Sequence, residues 1–534
     1  MRRRSSSLPG SASVEERHHL LRELLLRLLG GVFLIAFVSI WVQVDGLIGS
    51  RGILPIGSFS ERAAEALGAS RWWQLPSLLW LAPEDWMLDA LCAAGVGFSI
   101  LAMLGVGTVP VFVTLWAIYL SLVVGGQVFF QFQWDGLLLE TALCSLFLAP
   151  WTFRPGRLPM RPDPEVGVWL WRLLVVKLMV LSGAVKLISF DETWWTLSAL
   201  DAHFETQPLP LWTSWYAHHL SPSLLRAGVA LTLVIEILVP FLVFWSRGAR
   251  RLAAALLIGL QALIAGTGNY GFFNLLSIVL CLSLLDDSAI SWLVPRSWRR
   301  RLARRGEDDA PLSRWLPAWR RGRRERRAAL LARGRWVLAA LLGCAMVLVT
   351  VRELAWSVPR DRETPSALRP LAAMAEWVQP ALSVIDPFRS INGYGLFRAM
   401  TLERPELIVE ASENGVDWLE VRFRHKPGDV TRRPRLVAPH MPRLDWQMWF
   451  AALDPRGASG WLQPFLLRLG AAEPAVLDLL EATPYGERRP AFLRLVLYDY
   501  RFTTPAERLA SGAWWRRERL GELSAPLATS SLNE

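Results

Sequence analysis

Nine windows of roughly 19 mostly apolar residues, the length that spans a bilayer, punctuate the first 353 positions. The first, Leu24–Val44, reads LLLRLLGGVFLIAFVSIWVQV. The others centre on 87–106, 108–125, 134–149, 167–188, 225–245, 252–267, 272–292 and 336–353. Windows 134–149 (short) and 252–267 (ending in Gly-rich sequence) fit re-entrant segments as well as full spans. The first apolar run is too long for a cleaved signal peptide, and no A-x-A-like site follows it. The pattern predicts a polytopic α-helical membrane protein of about nine spans over 24–353, preceded by a cytoplasmic tail, 1–23.

Past residue 353 the period changes. Residues 354–390 are a Pro-rich connector with two short amphipathic stretches. In LIVEASENGVDWLEVRFRHKPG (407–428), two β-rich runs flank an ENG turn, which predicts a hairpin. AFLRLVLYDYRFTT (491–504) reads as a further strand, and the segments between them read as helices. Residues 391–534 are therefore expected to form an extramembrane β-rich (α+β, sandwich-like) domain.

Charge assigns the sides. The chain has 534 residues, 52% hydrophobic and 20% charged, with a net charge of +11. The mean hydropathy is +0.28, so disorder is excluded. The whole excess sits in 296–335, where 15 Arg face four acids. Such a run beside two spans is explained by the positive-inside rule, and a nucleic-acid partner is not expected. Short loops near 151–166 and 246–251 are also Arg-bearing. With the N-terminus cytoplasmic, nine spans place the C-terminal domain outside, which in a bacterium is the periplasm. Only three residues are Lys, against 55 Arg.

Two of those lysines, Lys177 and Lys186, share one apolar window, and Glu236, Glu140 and Asp135 lie in others. Ionisable groups at bilayer depth are paired or functional. Lys177 and Glu236 each lie about 11 residues from the outer end of consecutive antiparallel spans, about 16 Å deep, which predicts that they pair. The alternative is a polar cavity serving catalysis on a lipid-like substrate, with Lys177, Lys186, Glu236, Glu140 and Asp135 as candidates, or, third, transport. The outer loop 189–224 holds His203, His218 and His219 beside carboxylates, a metal set only by composition, because no H-x-x-x-H or H-E-x-x-H spacing is present. TGNYG (267–271) reads as a tight outer hairpin or a substrate-lining turn.

In the C-terminal domain, APHMPRLDWQMWF brings His440, Arg443, Asp445, Trp446, Trp449 and Phe450 together, either as a client-binding patch or as core. No nucleotide, hydrolase or dinucleotide motif occurs, and no cofactor is implied. Cys92, Cys144, Cys281 and Cys344 all fall in apolar windows, without a C-x-x-C pair.

The runs QFQWDGLLLETALCSLFLAPW, KLMVLSGAVKLISFDETWWTLSALDAHFETQPLP, TGNYGFFNLLSIVLCLSLLDD, INGYGLFRAMTLERPELIVEASENGVDWLEVRFRHKPGD, APHMPRLDWQMWFAAL and LYDYRFTTPAERLASGAWWRRERLGE resemble the lipase maturation factor family. They do so in order, from the first spans almost to the C-terminus; the N-terminal tail and the Arg-rich loop lie outside the resemblance. The resemblance implies a chaperone-like membrane protein. The animal members reside in the endoplasmic reticulum, assist folding and assembly of homodimeric lipases, and contact the lipase through the lumenal C-terminal domain. The equivalent here is residues 391–534. The expected partners are an exported client, possibly a lipase by this likeness, and membrane lipids. No catalytic residue carries over, and the Arg-rich, Lys-poor composition points to a bacterial inner membrane.

Overall fold

The computed structural model describes residues 18–150, 165–291, 318–358 and 369–529. Most of the expected tail 1–23, the greater part of the Arg-rich loop 296–335 and the middle of the connector 354–390 lie outside the described residues.

Among the described residues, six helices are long and apolar enough to cross a membrane: His19–Trp41 (α1), Asp85–Met103 (α2), Glu165–Ile188 (α5), Pro222–Phe244 (α6, whose last turns are 3₁₀), Arg247–Ala265 (α7) and Leu330–Trp356 within α9 (Ala318–Trp356). Two shorter apolar helices, Val109–Gly125 (α3) and Phe273–Cys281 (α8), accompany them. The window at 134–149 likewise holds a short helix, the 13-residue Gln133–Ser145 (α4), about 20 Å long and buried along most of its length.

The bundle closes on small residues. Leu21, Leu25, Leu29, Phe33, Phe37 and Ile40 recur at helical spacing on the buried face of α1. Opposite them, a Cβ on Gly95 of α2 would lie 2.4 Å from Phe37. Phe37 is 0% exposed and sits against Phe33 and Tyr119 at 6.0 and 5.5 Å, so its ring has nowhere to go. Gly95→Ala is therefore expected to cost about 1–3 kcal/mol, read as a lower melting temperature in detergent, whereas Gly97→Ala, facing open space, should melt like the parent. Elsewhere the apolar side chains that stay exposed, such as Leu231, Leu238, Phe241, Leu252 and Leu263 on α6 and α7, face outward as lipid-contacting surface does.

The C-terminal domain is one antiparallel sheet in the order β2-β1-β5-β6, with β7 also pairing β5, plus a separate two-stranded sheet β3-β4. The strands are β1 (Pro405–Ser412), β2 (Leu419–Glu420), β3 (Arg422–Phe423), β4 (Leu480–Ala482), β5 (Phe492–Phe502), β6 (Trp515–Glu522) and β7 (Leu527–Ala528). The ENG turn makes the expected hairpin: Ala411 pairs Leu419, Gly415 takes φ 73°, and Asn414 Oδ1 accepts from Val416 and Asp417 N–H. Leu407, Val409 and Ala411 of β1 pack into the core shared with α11 (Arg443–Leu453) and α12 (Ser459–Gly470). Ile408, on the other face, packs with Tyr500, Phe502 and Trp515 against Phe204, Trp215 and Leu225 of the helical half. Burial on both faces explains why β1 carries three consecutive apolar residues, Leu407–Val409, rather than strict alternation.

Candidate functional site

The charged residues that sequence places in the membrane converge where the C-terminal domain is seated on the helical half. Asp135 and Glu140 of α4 are five residues apart, about 140° around the helix, so they serve different partners. Asp135 receives a two-pronged contact from Arg443 of α11, Nη2 to Oδ1 at 2.8 Å and Nη1 to Oδ2 at 2.9 Å. Tyr119 donates its hydroxyl to Oδ1, Arg443 Nη1 also reaches the Phe129 carbonyl at 2.8 Å, and the guanidinium lies 3.9 Å from the Phe130 ring centroid. Bidentate Arg–carboxylate geometry is the strongest of the common charge-assisted pairs. Both side chains are about 1% exposed.

Glu140 is the second node. Lys177 of α5 donates to Oε1 at 2.6 Å, while Tyr394 OH and the Asn392 backbone N–H (3.1 Å) donate to Oε2. Residues 391–395, INGYG, were expected at the edge of the extramembrane domain. They instead enter the bundle and close this site: Gly395 N–H reaches Gln133 Oε1 at 3.1 Å, and Asn392 Nδ2 reaches the Gly136 carbonyl at 3.0 Å. The side-chain role of Tyr394 and Asn392 was missed, although their motif was visible. Irregular backbone among spans is tolerated because its polar groups find partners there.

The expected Lys177–Glu236 pair does not form. Glu236 binds Lys186 at 2.7 Å instead. Lys186 also donates to the Ser182 carbonyl at 2.9 Å and lies 5.2 Å from the Trp194 ring centroid. Counting depth from the outer ends assumed that α5 and α6 end level. They do not: the first turns of α6 extend past the end of α5 and pack on the short helix Ala199–Thr206, with Gly228 against Leu200. Gly183 of α5 therefore lies beside Glu236 and Ile237. Lys177 and Lys186 are both held in ion pairs, an arrangement that fastens helices together.

The outer-loop histidines do not converge. His203 lies 3.4 Å from Tyr270 OH and edge-on to Phe397 at 4.6 Å; His219 Nδ1 donates to the Trp215 carbonyl at 2.7 Å; His218 is 3.8 Å from Glu205. Among the described residues no group of three or more His, Cys, Asp and Glu is arranged to hold a metal ion.

Of the C-terminal candidates, most point into the helical half. His440 Nδ1 is 2.9 Å from Ser39 Oγ of α1. Trp446 packs on Trp134 at 4.8 Å and Phe132 at 5.8 Å. Trp449 Nε1 donates to the Thr206 carbonyl at 3.0 Å. Asp445 is turned within its own domain, accepting from the His425 and Lys426 N–H groups, both at 2.8 Å; burial raises its pKa. Phe450 is exposed.

Further keys lie in the TGNYG hairpin and at residues that the sequence did not single out. Asn269 of the TGNYG hairpin accepts from Val437 N–H (2.7 Å) and Ala438 N–H (3.0 Å) and donates to the Arg435 carbonyl (2.9 Å). Gln43 receives Arg443 N–H at 3.0 Å and donates to the Met441 carbonyl at 2.8 Å. Arg404 donates to the carbonyls of Glu205, Gln207 and Pro208. A polar residue inside an apolar window, as with Gln43, was the available signal.

These contacts give the protein a pH dependence. Burial pushes the pKa values of His203, His425 and His440 down to about 4, nearby cations adding to it. The unfolded chain takes up these protons near pH 6.5, so the stability they contribute is present above pH 6.5 and is lost as pH falls toward 4. A melting series from pH 7.5 to 5 should fall by about 2 kcal/mol per histidine. His440→Gln should flatten part of that slope.

Two family descriptions match this chain. The lipase maturation factor transmembrane domain covers residues 20–292, and the lipase maturation factor C-terminal domain covers 390–525. Lipase maturation factor 2 from Gallus gallus is 34% identical over 94% of this chain and 80% of its own length. Lipase maturation factor 2 from Homo sapiens is 34% identical over 94% and 82%, and lipase maturation factor 1 from Homo sapiens 32% over 96% and 88%. The chain belongs to the lipase maturation factor family. No solved structure matches it. In this lipase maturation factor family member, the two matched regions are joined by the contacts just described: Asp135 with Arg443, Glu140 with Asn392 and Tyr394, Ser39 with His440 and Asn269 with Val437. The site is thus the seat on which the C-terminal domain is mounted.

Proposed function

We propose that this chain is a membrane-bound maturation factor that assists folding or assembly of an exported client, a lipase by the names of its relatives. The carrying observation is the match along both halves to proteins named lipase maturation factors 1 and 2. The geometry fits the role. A β-rich domain keyed to a helical anchor by buried charge pairs holds a client-facing surface at a fixed height above the bilayer. The membrane is the bacterial inner membrane, with the N-terminus cytoplasmic and the C-terminal domain periplasmic. Supporting this are the 15 Arg of 296–335 beside two apolar windows and the Arg-rich, Lys-poor composition. The client contacts residues 391–534, whose exposed apolar side chains include Phe450 and Leu509.

Deletion of the gene in the native host is expected to lower the specific activity of an exported lipase about tenfold while leaving its synthesis unchanged. Photo-crosslinkers in β6 should capture that lipase. Unchanged lipase activity together with no captured exported protein would sink the proposal. Alkaline phosphatase fused after residue 529 should be active; an inactive fusion would overturn the orientation.

A further inference from the structure

The chain beyond α9 folds back into the helical half before it reaches β1. Helix α10 (Arg369–Leu382) lies antiparallel to the end of α9, with Val378 and Leu382 packed on Val349. The following turn places Asp386 against Arg352 at 2.8 Å. Between this turn and α4 lies an open cavity of about 440 Å³, lined by Gln133, Arg352, Glu353, Asp386, Arg389 and Asn392 among others, a size typical of small-molecule sites. Arg352 lies four residues from the end of α9 at Trp356, about 6 Å along the axis, so the cavity sits at headgroup depth. The surroundings are those of a membrane interface. Phe388 packs on Trp73 at 5.0 Å and Trp116 at 6.3 Å, and Trp73, Trp356 and Trp377 are exposed.

The charges lining this cavity sum to zero but are not matched locally. Arg352 holds Asp386 closely at 2.8 Å and Glu353 only loosely at 3.7 Å, and the other cations that act on Glu353, Arg398 and Lys177, do not line the cavity. Half-buried Arg389 is held in the left-handed region at φ 47°, and its guanidinium makes no ion pair or hydrogen bond among the described residues. Asp135, whose charge acts on it, is already bound by Arg443 and Tyr119. An uncompensated cation and an excess carboxylate on one cavity wall are each costly to desolvate alone. A guest carrying an anion and a cation a few bonds apart satisfies both.

We propose that this cavity binds the zwitterionic headgroup of an amine-bearing phospholipid, its phosphate on Arg389 and its ammonium on Glu353, with the acyl chains leaving into the bilayer. The site lies between the helical half and the connector and is independent of client binding.

The test is native mass spectrometry of the full-length chain in detergent, titrated separately with phosphatidylethanolamine, phosphatidylglycerol and free phosphoethanolamine. One phosphatidylethanolamine per chain is expected to stay bound, at least tenfold more tightly than either other probe. Arg389→Gln should weaken it at least tenfold, Arg389→Lys should retain most of it, and Glu353→Gln should remove the preference over phosphatidylglycerol. Unchanged binding in Arg389→Gln overturns the proposal. Equal affinity for phosphatidylglycerol overturns the ammonium subsite, and equal affinity for phosphoethanolamine overturns the lipid assignment. If Arg389→Gln does not fold, a headgroup-diazirine phosphatidylethanolamine on the unaltered chain decides. Adducts at 352–353 and 386–393 support the site, and adducts confined elsewhere refute it.

Discussion

Glu140→Ala is expected to destabilise the protein by about 3–5 kcal/mol, the cost of leaving a buried charge without its partner. The estimate follows from what the carboxylate satisfies at once: the Lys177 ammonium, the Tyr394 hydroxyl and the Asn392 N–H, all in a site where Glu140 is 0% exposed. Without it, three donors face an apolar interior, and each unsatisfied one is penalised separately. Tyr394→Phe removes one donor and leaves the ion pair, so it should cost about 1 kcal/mol. Lys177→Met combined with Glu140→Leu should recover much of the loss, because an apolar pair of similar volume avoids the desolvation penalty. Thermal unfolding of the four proteins in one detergent checks this order. If Glu140→Ala melts like the parent, the node is not a fastener. Because Asn392 and Tyr394 lead directly into β1, limited proteolysis should also cut Glu140→Ala first near 385–400.

Separating Asp135 from Arg443 should do comparable damage, again about 3–5 kcal/mol for either single alanine variant. It acts at a different place, the seat of α11. Arg443→Ala leaves the buried Asp135 charge without its cation, still bound by the Tyr119 hydroxyl, and frees the Phe129 carbonyl. Arg443→Lys cannot reproduce the two-pronged contact and should recover less than half. A double-mutant cycle with Asp135→Ala should give a coupling of at least about 2 kcal/mol; near-zero coupling would mean that the two ends are held by other contacts. With the C-terminal domain loosened, lipase maturation in the host should fall with stability, whereas a change on the exposed face, such as Leu509→Ala, should leave stability unchanged.

The hairpin at the ENG turn and the strand 492–502 were legible because their signals are local: turn chemistry and a run of β-formers within a few residues. The long spans were legible for the same reason. The partner of each membrane charge was not. Lys177 and Glu236 stood at equal counted depth, yet relative height between α5 and α6 depends on how the short helix Ala199–Thr206 props α6 above α5, and no window sees that. Trp446 and Arg443 likewise carried no mark saying whether they faced a client or the bundle.

Sequence alone determined that the chain lives in a membrane, which end carries the β-rich domain, which family it resembles and that its rare buried charges are special. Those properties follow from composition, periodicity and motif, which are additive along the chain. Only the tertiary structure decided that Asp135 belongs to Arg443 and Glu140 to Lys177 and Tyr394, that INGYG plunges back among the helices, and that Arg389 makes no ion pair among the described residues. A buried charge is stabilised only by a partner within a few ångströms, and proximity across separations of 37 to 308 residues is set by packing, not by order.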